Sequence, residues 1–321
     1  MMRKYVGTAL AAAVVIALAV LSILWSDAGL TPVQQDTLRI LLIVCAAAMA
    51  YCFIVGELAN NYSQMDKLWS LLPIAYTWII AAKGGMNPRL VIYALIVTAW
   101  GIRLTVNFAR KGAYSWKFWT GEEDYRWAIV RGNPIFKRRI AWAAFDLFFI
   151  SIYQNALVLA ICLPALAAMS STAALGWIDA AAAAAALLFL ALELISDEIQ
   201  WKFYQNKKKM LSQGRALESL DAPYDLGFNT MGPWGVMRHP NYLGEQGIWL
   251  SLYFFAVAAG VANMGIFHWS LVGPLVLVLL FSGSSALGEG ISSKKYPLYA
   301  DYTRQVFKYL PLRRFDRSKA E

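Results

Sequence analysis

Residues 38–58 read Leu-Arg-Ile-Leu-Leu-Ile-Val-Cys-Ala-Ala-Ala-Met-Ala-Tyr-Cys-Phe-Ile-Val-Gly-Glu-Leu, with charges only near the two ends, at Arg39 and Glu57. A run of roughly 20 apolar residues is long enough for an α-helix to cross the hydrocarbon core of a bilayer. Similar apolar runs occur on both sides of this one. In chain order, the third run and the last two runs are shorter than the others. The predicted spans are Val6–Trp25, Leu38–Leu58, Leu68–Ala82, Leu90–Phe108, Ile140–Met169, Ala173–Ile195, Gln246–Val261 and Ile266–Phe281. The sequence therefore predicts an all-α, polytopic integral membrane helix bundle with about seven or eight transmembrane helices.

The composition supports the same class. Of the 321 residues, 59% are hydrophobic and only 15% are charged, whereas a soluble domain is about 25% charged. This excludes a disordered chain, a fibrous repeat and an ordinary cytosolic enzyme. The three cysteines all lie in apolar stretches, and the chain has two histidines. These residues predict neither a disulfide framework nor a metal site.

The basic residues predict the orientation in the membrane. The net charge is +9, which the excess of Lys and Arg on the cytosolic side of membrane proteins explains without any nucleic-acid partner. Most basic residues fall in the N-terminus, in segments 109–139 and 196–245, and in the C-terminal tail, whereas Arg39, Lys83 and Arg89 fall on the other side. We expect the protein to lie in a bacterial inner membrane. Both termini are expected on the cytosolic side. We expect residues 1–60 to form N-terminal transmembrane helices and residues 61–321 to form the main membrane domain.

Ionisable residues inside the predicted spans need a reason, because each costs on the order of 3 kcal/mol there. Arg103 lies about 8 Å from the cytosolic end of its span, and Asp146 lies about 9 Å from the same side. The matching depths predict an Arg103–Asp146 ion pair, either as part of a site or only to lock two helices together. Further acids are expected at the same level, namely Glu57, Asp66, Glu193 and Glu245.

A motif lies before the seventh span. Residues 232–247 read Gly-Pro-Trp-Gly-Val-Met-Arg-His-Pro-Asn-Tyr-Leu-Gly-Glu-Gln-Gly. Pro240 suits the first turn of a helix, which would put Arg238 and His239 at the positive end of the helix dipole, where anions bind. Asn241 and Glu245 are four residues apart and so share one helix face. The alternative is an ordinary interfacial anchor.

The string from Arg238 to Glu245 resembles the C-terminal signature of the steroid 5-alpha-reductase-like family, and in particular a bacterial branch once described as a domain of unknown function. Relatives include sterol reductases and, more distantly, isoprenylcysteine carboxyl methyltransferases. The likeness extends over roughly residues 60–312. Its further matches are Ser196–Gln200, Tyr296, Tyr299, Asp301, Tyr302 and Pro311, with weaker ones at Asp66–Ser70 and Trp100–Leu104.

The resemblance implies a cofactor half, residues 190–312, that binds NADPH from the cytosol, and a substrate half, residues 61–170, that holds a flat lipid. The implied cofactor-binding residues are Asp197, Arg238, His239, Asn241, Tyr242, Glu245 and Tyr302. On the substrate side, the catalytic candidates are Gln64, Asp66 and Arg103. Trp100 stands where the family has a tyrosine, and an indole cannot deliver a proton, so Asp66 or Tyr62 is expected to supply the acid.

We therefore expect an NADPH-dependent membrane oxidoreductase that reduces a polarised C=C bond of a lipophilic, steroid- or isoprenoid-like substrate. Hydride would come from the cofactor, while the protein supplies orientation and electrostatics. Two alternatives stay open. One is a membrane methyltransferase that uses S-adenosylmethionine, and the other is a protein that binds or transports lipid without catalysis.

Overall fold

The structure, a computed structural model, describes residues 17–18, 29–261 and 266–319. In these residues the secondary structure is helical and contains no β-strand. The predicted first span, Val6–Trp25, lies outside the described residues except at positions 17 and 18. The α-helices are α1 (Pro32–Ala59), α2 (Gln64–Leu68), α3 (Leu71–Lys83), α4 (Pro88–Ala109), α5 (Tyr125–Arg131), α6 (Arg139–Phe145), α7 (Gln154–Ala160), α8 (Leu163–Ala168), α9 (Trp177–Ser212), α10 (Pro240–Ala258), α11 (Val272–Lys295) and α12 (Tyr299–Gln305).

Five stretches of helix are long and apolar enough to cross a membrane, which indicates a membrane protein. They are Pro32–Ala59, Pro88–Ala109, Arg139–Ala168, Trp177–Ser212 and Trp269–Lys295. Each corresponds to a predicted span, although the boundaries differ. The last two run on into polar sequence, because a helix does not have to end where its apolar stretch ends.

The two remaining predicted spans are helical but differ from these five. Helix α3 has only 13 residues and is about 20 Å long, so it is too short to cross a bilayer unaided. Helix α10 has 19 residues and opens with polar side chains, among them Asn241, Glu245 and Gln246.

Local sequence signals explain where the helices start. Thr31 caps α1 in a reciprocal arrangement: its hydroxyl accepts from the Gln34 backbone N–H, and the Gln34 side chain accepts from the Thr31 N–H at 2.9 Å. Asn87 caps α4 in one direction only, because its side-chain oxygen accepts from the Arg89 N–H at 2.9 Å. Pro32 and Pro88 occupy the first helical positions, where the missing N–H of proline has no helical partner to lose. As predicted, Pro240 starts α10.

Between α6 and α7 the helix widens. Residues Asp146–Tyr153 form a π-helical segment of eight residues. A π-helix has i→i+5 hydrogen bonds and usually occurs as a short insertion within an α-helix. Stretch Arg139–Ala168 therefore contains a change of register within one predicted span.

The chain divides into two compact units. Unit 1 comprises Met1–Ala184 and Trp249–Leu277, and unit 2 comprises Ala185–Ile248 and Val278–Glu321.

Unit 1 is organised around close packing of α4 on the segment that joins α2 and α3. A methyl group on Gly101 would lie 2.6 Å from the Ser70 carbonyl oxygen, so only glycine permits this approach. The hydroxyls of Ser70 and Thr105 are hydrogen-bonded at 2.7 Å. The contact between α4 and this segment is therefore fixed two residues before and two residues after Arg103.

Unit 2 has an aromatic core around Phe228. The rings of Tyr299 and Tyr302 lie 5.0 and 5.2 Å from the Phe228 ring. The tail is drawn into the same core, because Phe315 packs edge-on against Tyr302 at 5.5 Å. Pairs of aromatic side chains at these separations contribute about 0.5–1.5 kcal/mol beyond the area they bury.

Candidate functional site

In unit 1, the polar loop between α4 and α6 docks on the start of α2. Lys67 is fully buried and donates to the carbonyl oxygens of Phe118 at 2.8 Å and Thr120 at 2.6 Å. Burial lowers the pKa of Lys67 to about 8. The Tyr62 N–H donates to Glu123 at 2.9 Å. These contacts hold the loop in one position over the catalytic candidates.

Gln64 serves this docking. Its side-chain amide donates to the carbonyl oxygens of Asn61 at 3.1 Å and Trp119 at 3.0 Å, and its oxygen accepts from the Tyr51 hydroxyl at 3.2 Å. Gln64 is 1% exposed. Since both N–H groups and the oxygen have partners within the protein, the geometry gives Gln64 a positioning role.

Asp66 has different surroundings. One carboxylate oxygen accepts from the Trp127 indole N–H at 2.8 Å. Burial raises the pKa of Asp66, and the Asp124 carboxylate raises it further, although Arg126 and the Trp127 hydrogen bond act in the opposite direction. A carboxyl group whose environment raises its pKa is the kind of group that serves as a general acid.

Arg103 lies on α4, partly buried, between the Gly101 and Thr105 contacts to the α2–α3 junction. Within one turn of it, Trp100 is completely buried and packs edge-on against Trp249 at 5.1 Å. The indole N–H groups of both tryptophans are buried without a hydrogen-bond partner in the described part of the chain. A buried donor without an acceptor costs about 1–3 kcal/mol, so these two N–H groups are among the unsatisfied polar groups of unit 1.

The predicted Arg103–Asp146 ion pair is wrong. The Asp146 carboxylate accepts from the Ser151 hydroxyl at 3.4 Å and lies against Gly56; among the described residues, the charged side chain that acts on it is Glu57. Asp146 begins the π segment, which packs on α1, whereas Arg103 is on α4, which packs on α3. Equal depth along the membrane does not make two helices neighbours.

In unit 2, the sequence motif brings α10 close to α9. A methyl group on Gly244 would lie 2.7 Å from the Glu193 Cβ and 2.9 Å from the Phe189 carbonyl oxygen. The Asn241 amide donates to Asp197 at 3.1 Å, and its oxygen accepts from the Tyr242 N–H at 3.0 Å. Asp197 and Asn241 are therefore brought together as the resemblance implies.

Two acids lie in the same region. Glu193 and Glu245 are 2% and 6% exposed, respectively. Glu245 follows Asn241 by one turn of α10, and Glu193 precedes Asp197 by one turn of α9. We call Glu193, Asp197, Asn241 and Glu245 the α9–α10 polar face.

Arg238 and His239 form a network with Glu289 of α11. The Arg238 guanidinium donates to Glu289 at 2.8 Å and to the carbonyl oxygens of Thr303 and Val306 at 3.1 and 2.6 Å. His239 Nε2 lies 2.8 Å from the same carboxylate. Burial lowers the pKa of His239 although Glu289 opposes this effect, so the imidazole is neutral at pH 7 and its Nε2–H donates. The Arg238 guanidinium, which the motif predicts as a phosphate ligand, is therefore already hydrogen-bonded to groups within the protein.

Tyr302 and Tyr242 differ in their surroundings. The Tyr302 hydroxyl donates to the carbonyl oxygens of Trp234 at 2.6 Å and Met237 at 3.2 Å, and the ring is buried in the Phe228 core. Tyr242 stacks on the His239 ring at 5.3 Å. Tyr302 therefore fixes the backbone that leads into Arg238, whereas Tyr242 borders the polar face.

Three residues of these networks were not predicted as site residues from the sequence: Glu289, Lys67 and Trp127. The predicted last span ends at Phe281, eight residues before Glu289. Glu289 was therefore not counted as a charged residue within a membrane-spanning helix. The same criterion that singled out Asp146 would have found it. Nothing in the sequence around Lys67 or Trp127 indicates their hydrogen-bond partners, which lie more than 50 residues away along the chain.

Comparison with known proteins identifies a family for this chain. Residues 52–306 match the family described as "Protein of unknown function (DUF1295)", so the chain belongs to that family. It is similar to the uncharacterised protein C594.04c of Schizosaccharomyces pombe, with 35% identity over 277 residues, which cover 80% of this chain and 74% of the relative. No solved structure matches.

Proposed function

We propose that the protein is an NADPH-dependent membrane oxidoreductase of the steroid 5-alpha-reductase-like family. It reduces a polarised C=C bond in a lipophilic, steroid- or isoprenoid-like substrate. It has seven or eight spans in a bacterial inner membrane, both termini are cytosolic, and the cofactor enters from the cytosol. Membrane lipids and the lipophilic substrate are its partners.

The observation that carries the proposal is the Asp197–Asn241 hydrogen bond within the α9–α10 polar face. Carboxylate and amide groups are rare in apolar helices unless they serve a function, and here they gather on two helices that Gly244 brings together. They match the ribose hydroxyls and the carboxamide of a dinucleotide, which donate to such oxygens.

The phosphate groups of NADPH need a different partner from Arg238, whose donors are engaged. Lys308 fits this part. Its ammonium group donates to the Ser285 hydroxyl at 3.1 Å and keeps further N–H donors. Its backbone oxygen accepts from the His239 N–H at 3.1 Å, so the ammonium group belongs to the same part of unit 2.

On the substrate side, Asp66 is proposed as the proton donor, since burial and the Asp124 carboxylate raise its pKa and so favour the protonated acid. NADPH, when bound, supplies the hydride. Gln64 and Lys67 keep the loop over Asp66 in place, and Arg103 is proposed to bind the substrate oxygen. Trp100 contributes a buried N–H donor in the same part of α4.

The test measures thermal stabilisation of the protein, purified in a neutral detergent, by NADPH, NADH and S-adenosylmethionine. Stabilisation by NADPH is expected, and Asn241→Ala should weaken NADPH binding at least tenfold, about 1.4 kcal/mol. The matched control is Asn206→Ala, which changes an exposed asparagine on α9 that contacts Tyr224.

Other outcomes contradict the proposal. Stabilisation by S-adenosylmethionine alone would make the protein a methyltransferase, with the same polar face holding the methyl donor. Stabilisation by neither cofactor, in a protein shown to be folded, would favour a lipid-binding or transport function.

A further inference from the structure

A groove at the C-terminal end of unit 2 is separate from the polar face. Its volume is about 610 Å³. Most of its lining side chains are charged: the lining residues are Asp301, Arg304, Gln305, Arg313, Arg314, Asp316 and Lys319.

The chain around the groove is held in place. The Phe315 N–H donates to the Gly235 carbonyl oxygen at 2.8 Å, and its ring enters the core beside Tyr302. The Gln305 side chain accepts from the Asp316 N–H at 2.8 Å. Arg313 and Arg314 directly precede this anchor, so the backbone that follows them is fixed beside the groove.

The charges in the groove do not cancel. Arg304 pairs with Asp301, and Lys319 lies 3.4 Å from Asp316. Within the described part of the chain, neither Arg313 nor Arg314 forms an ion pair with an acid. The Arg313 guanidinium lies over the Phe307 ring at 5.5 Å. The groove therefore offers two uncompensated guanidinium groups, which suit the oxygens of a phosphate.

Apolar side chains stand exposed on the same segment. Phe307, Leu310 and Leu312 are 39%, 55% and 68% exposed, respectively. A surface that combines exposed apolar side chains with arginines is typical of segments that lie at the headgroup level of a membrane. Free phosphate in solution would not require these apolar neighbours.

We propose that this groove binds the phosphate of an anionic phospholipid headgroup, with Arg313 and Arg314 as its ligands and with Leu310 and Leu312 reaching toward the acyl chains. The C-terminal segment is thereby attached to the membrane surface. Anionic lipids attract basic residues close to the surface strongly enough for the loss of two arginines to weaken binding roughly tenfold or more.

The experiment titrates the full-length protein, in a neutral detergent, with phosphatidylglycerol, phosphatidylcholine or inorganic phosphate, and counts bound lipid by native mass spectrometry. Wild type is expected to prefer phosphatidylglycerol. The double variant Arg313→Gln/Arg314→Gln should bind it at least tenfold more weakly. The matched control, Lys208→Gln/Lys209→Gln, removes the same charge from exposed positions on α9 and should bind like wild type.

Several results would overturn the proposal. These are unchanged lipid binding by the arginine variant, an equal loss in the lysine control, and displacement of the lipid by millimolar inorganic phosphate or by NADPH. Displacement by inorganic phosphate would assign the groove to a soluble phosphate, and displacement by NADPH would assign it to the cofactor. If the arginine variant does not fold, Lys319→Gln reduces the groove's charge at a side chain that is 76% exposed, and a several-fold loss is expected.

Discussion

Arg89 and Asp179 form a buried, two-pronged ion pair in unit 1. Arg89 Nε lies 2.7 Å from Asp179 Oδ1, and Nη2 lies 3.0 Å from Oδ2. The side chains are only 1% and 4% exposed. The guanidinium also donates to the carbonyl oxygens of Ala173 and Ala174. The pair fixes the first turn of α4 to the first turn of α9 and to the loop before it.

Arg89→Ala should destabilise the protein by about 3–5 kcal/mol, because it leaves Asp179 charged and buried without a partner. Thermal unfolding in detergent measures this loss, and adding Asp179→Asn should restore part of it. The control is Arg39→Ala, which breaks an exposed pair with Asp36 and should change stability by less than about 1 kcal/mol. Equal effects of the two substitutions would contradict the assignment.

Five of the predicted spans correspond to helices long and apolar enough to cross a membrane, and these were predictable because length and apolar character are local properties. Contacts between helices were not. The sequence places Arg89 in a loop between two predicted spans and does not indicate a partner for it. In the structure its partner is Asp179, which lies 90 residues away along the chain. Depth predicted a partner for Asp146 on the wrong helix, since depth says nothing about which helices are adjacent. The Asp197–Asn241 contact was anticipated only through the family resemblance.

Gly244→Ala should destabilise unit 2 by about 1–3 kcal/mol, because the added methyl would overlap the Glu193 Cβ and the Phe189 carbonyl oxygen. It should also weaken NADPH binding, since it separates α10 from α9. Gly283→Ala on α11 is the control, because nothing lies within 4 Å of its new methyl, and alanine should stabilise the helix by about 0.5–1 kcal/mol. Comparing the unfolding temperatures of the two variants decides between close packing and a general effect of removing glycine.

Glu289→Gln should cost about 3 kcal/mol, since it removes the charge that compensates the largely buried Arg238. The same variant should loosen His239, whose ring Nε2 shares that carboxylate. Glu198→Gln, at an exposed contact with Lys202, should have an effect below about 1 kcal/mol. The comparison requires only unfolding curves at pH 7, and a Glu289 variant as stable as wild type would refute the network.

Asp66→Asn should change the pH dependence of stability. Burial and Asp124 raise the pKa of Asp66 in the folded protein, so folding favours the protonated acid. Its contribution to stability is complete below the unfolded pKa of about 3.9 and is lost as the pH rises through the folded value. Asparagine does not titrate, so the stability of the variant relative to wild type should increase from pH 4 upward, and turnover should fall while NADPH affinity persists.

The orientation can be tested with introduced cysteines, because Cys45, Cys52 and Cys162 are buried. Leu175 lies in the exposed loop before α9, and Gln213 lies in the exposed segment after it. Membrane-impermeant maleimide added to intact cells should label Leu175→Cys rapidly and Gln213→Cys only after the cells are permeabilised. The reverse order of labelling would place the termini outside.

The π segment Asp146–Tyr153 amounts to an insertion that the helix has absorbed without breaking. One residue corresponds to a turn of about 100° around a helix axis. Deleting a single residue there would allow an ordinary α-helix to form. The part of the helix before the deletion would then be rotated by that angle relative to the part after it. Asp146 would then leave Gly56 and point elsewhere, although the composition of the span would hardly change. In this stretch, the number of residues determines which side chains face α1, so a relative that lacks one residue here would present a different surface to the same neighbour.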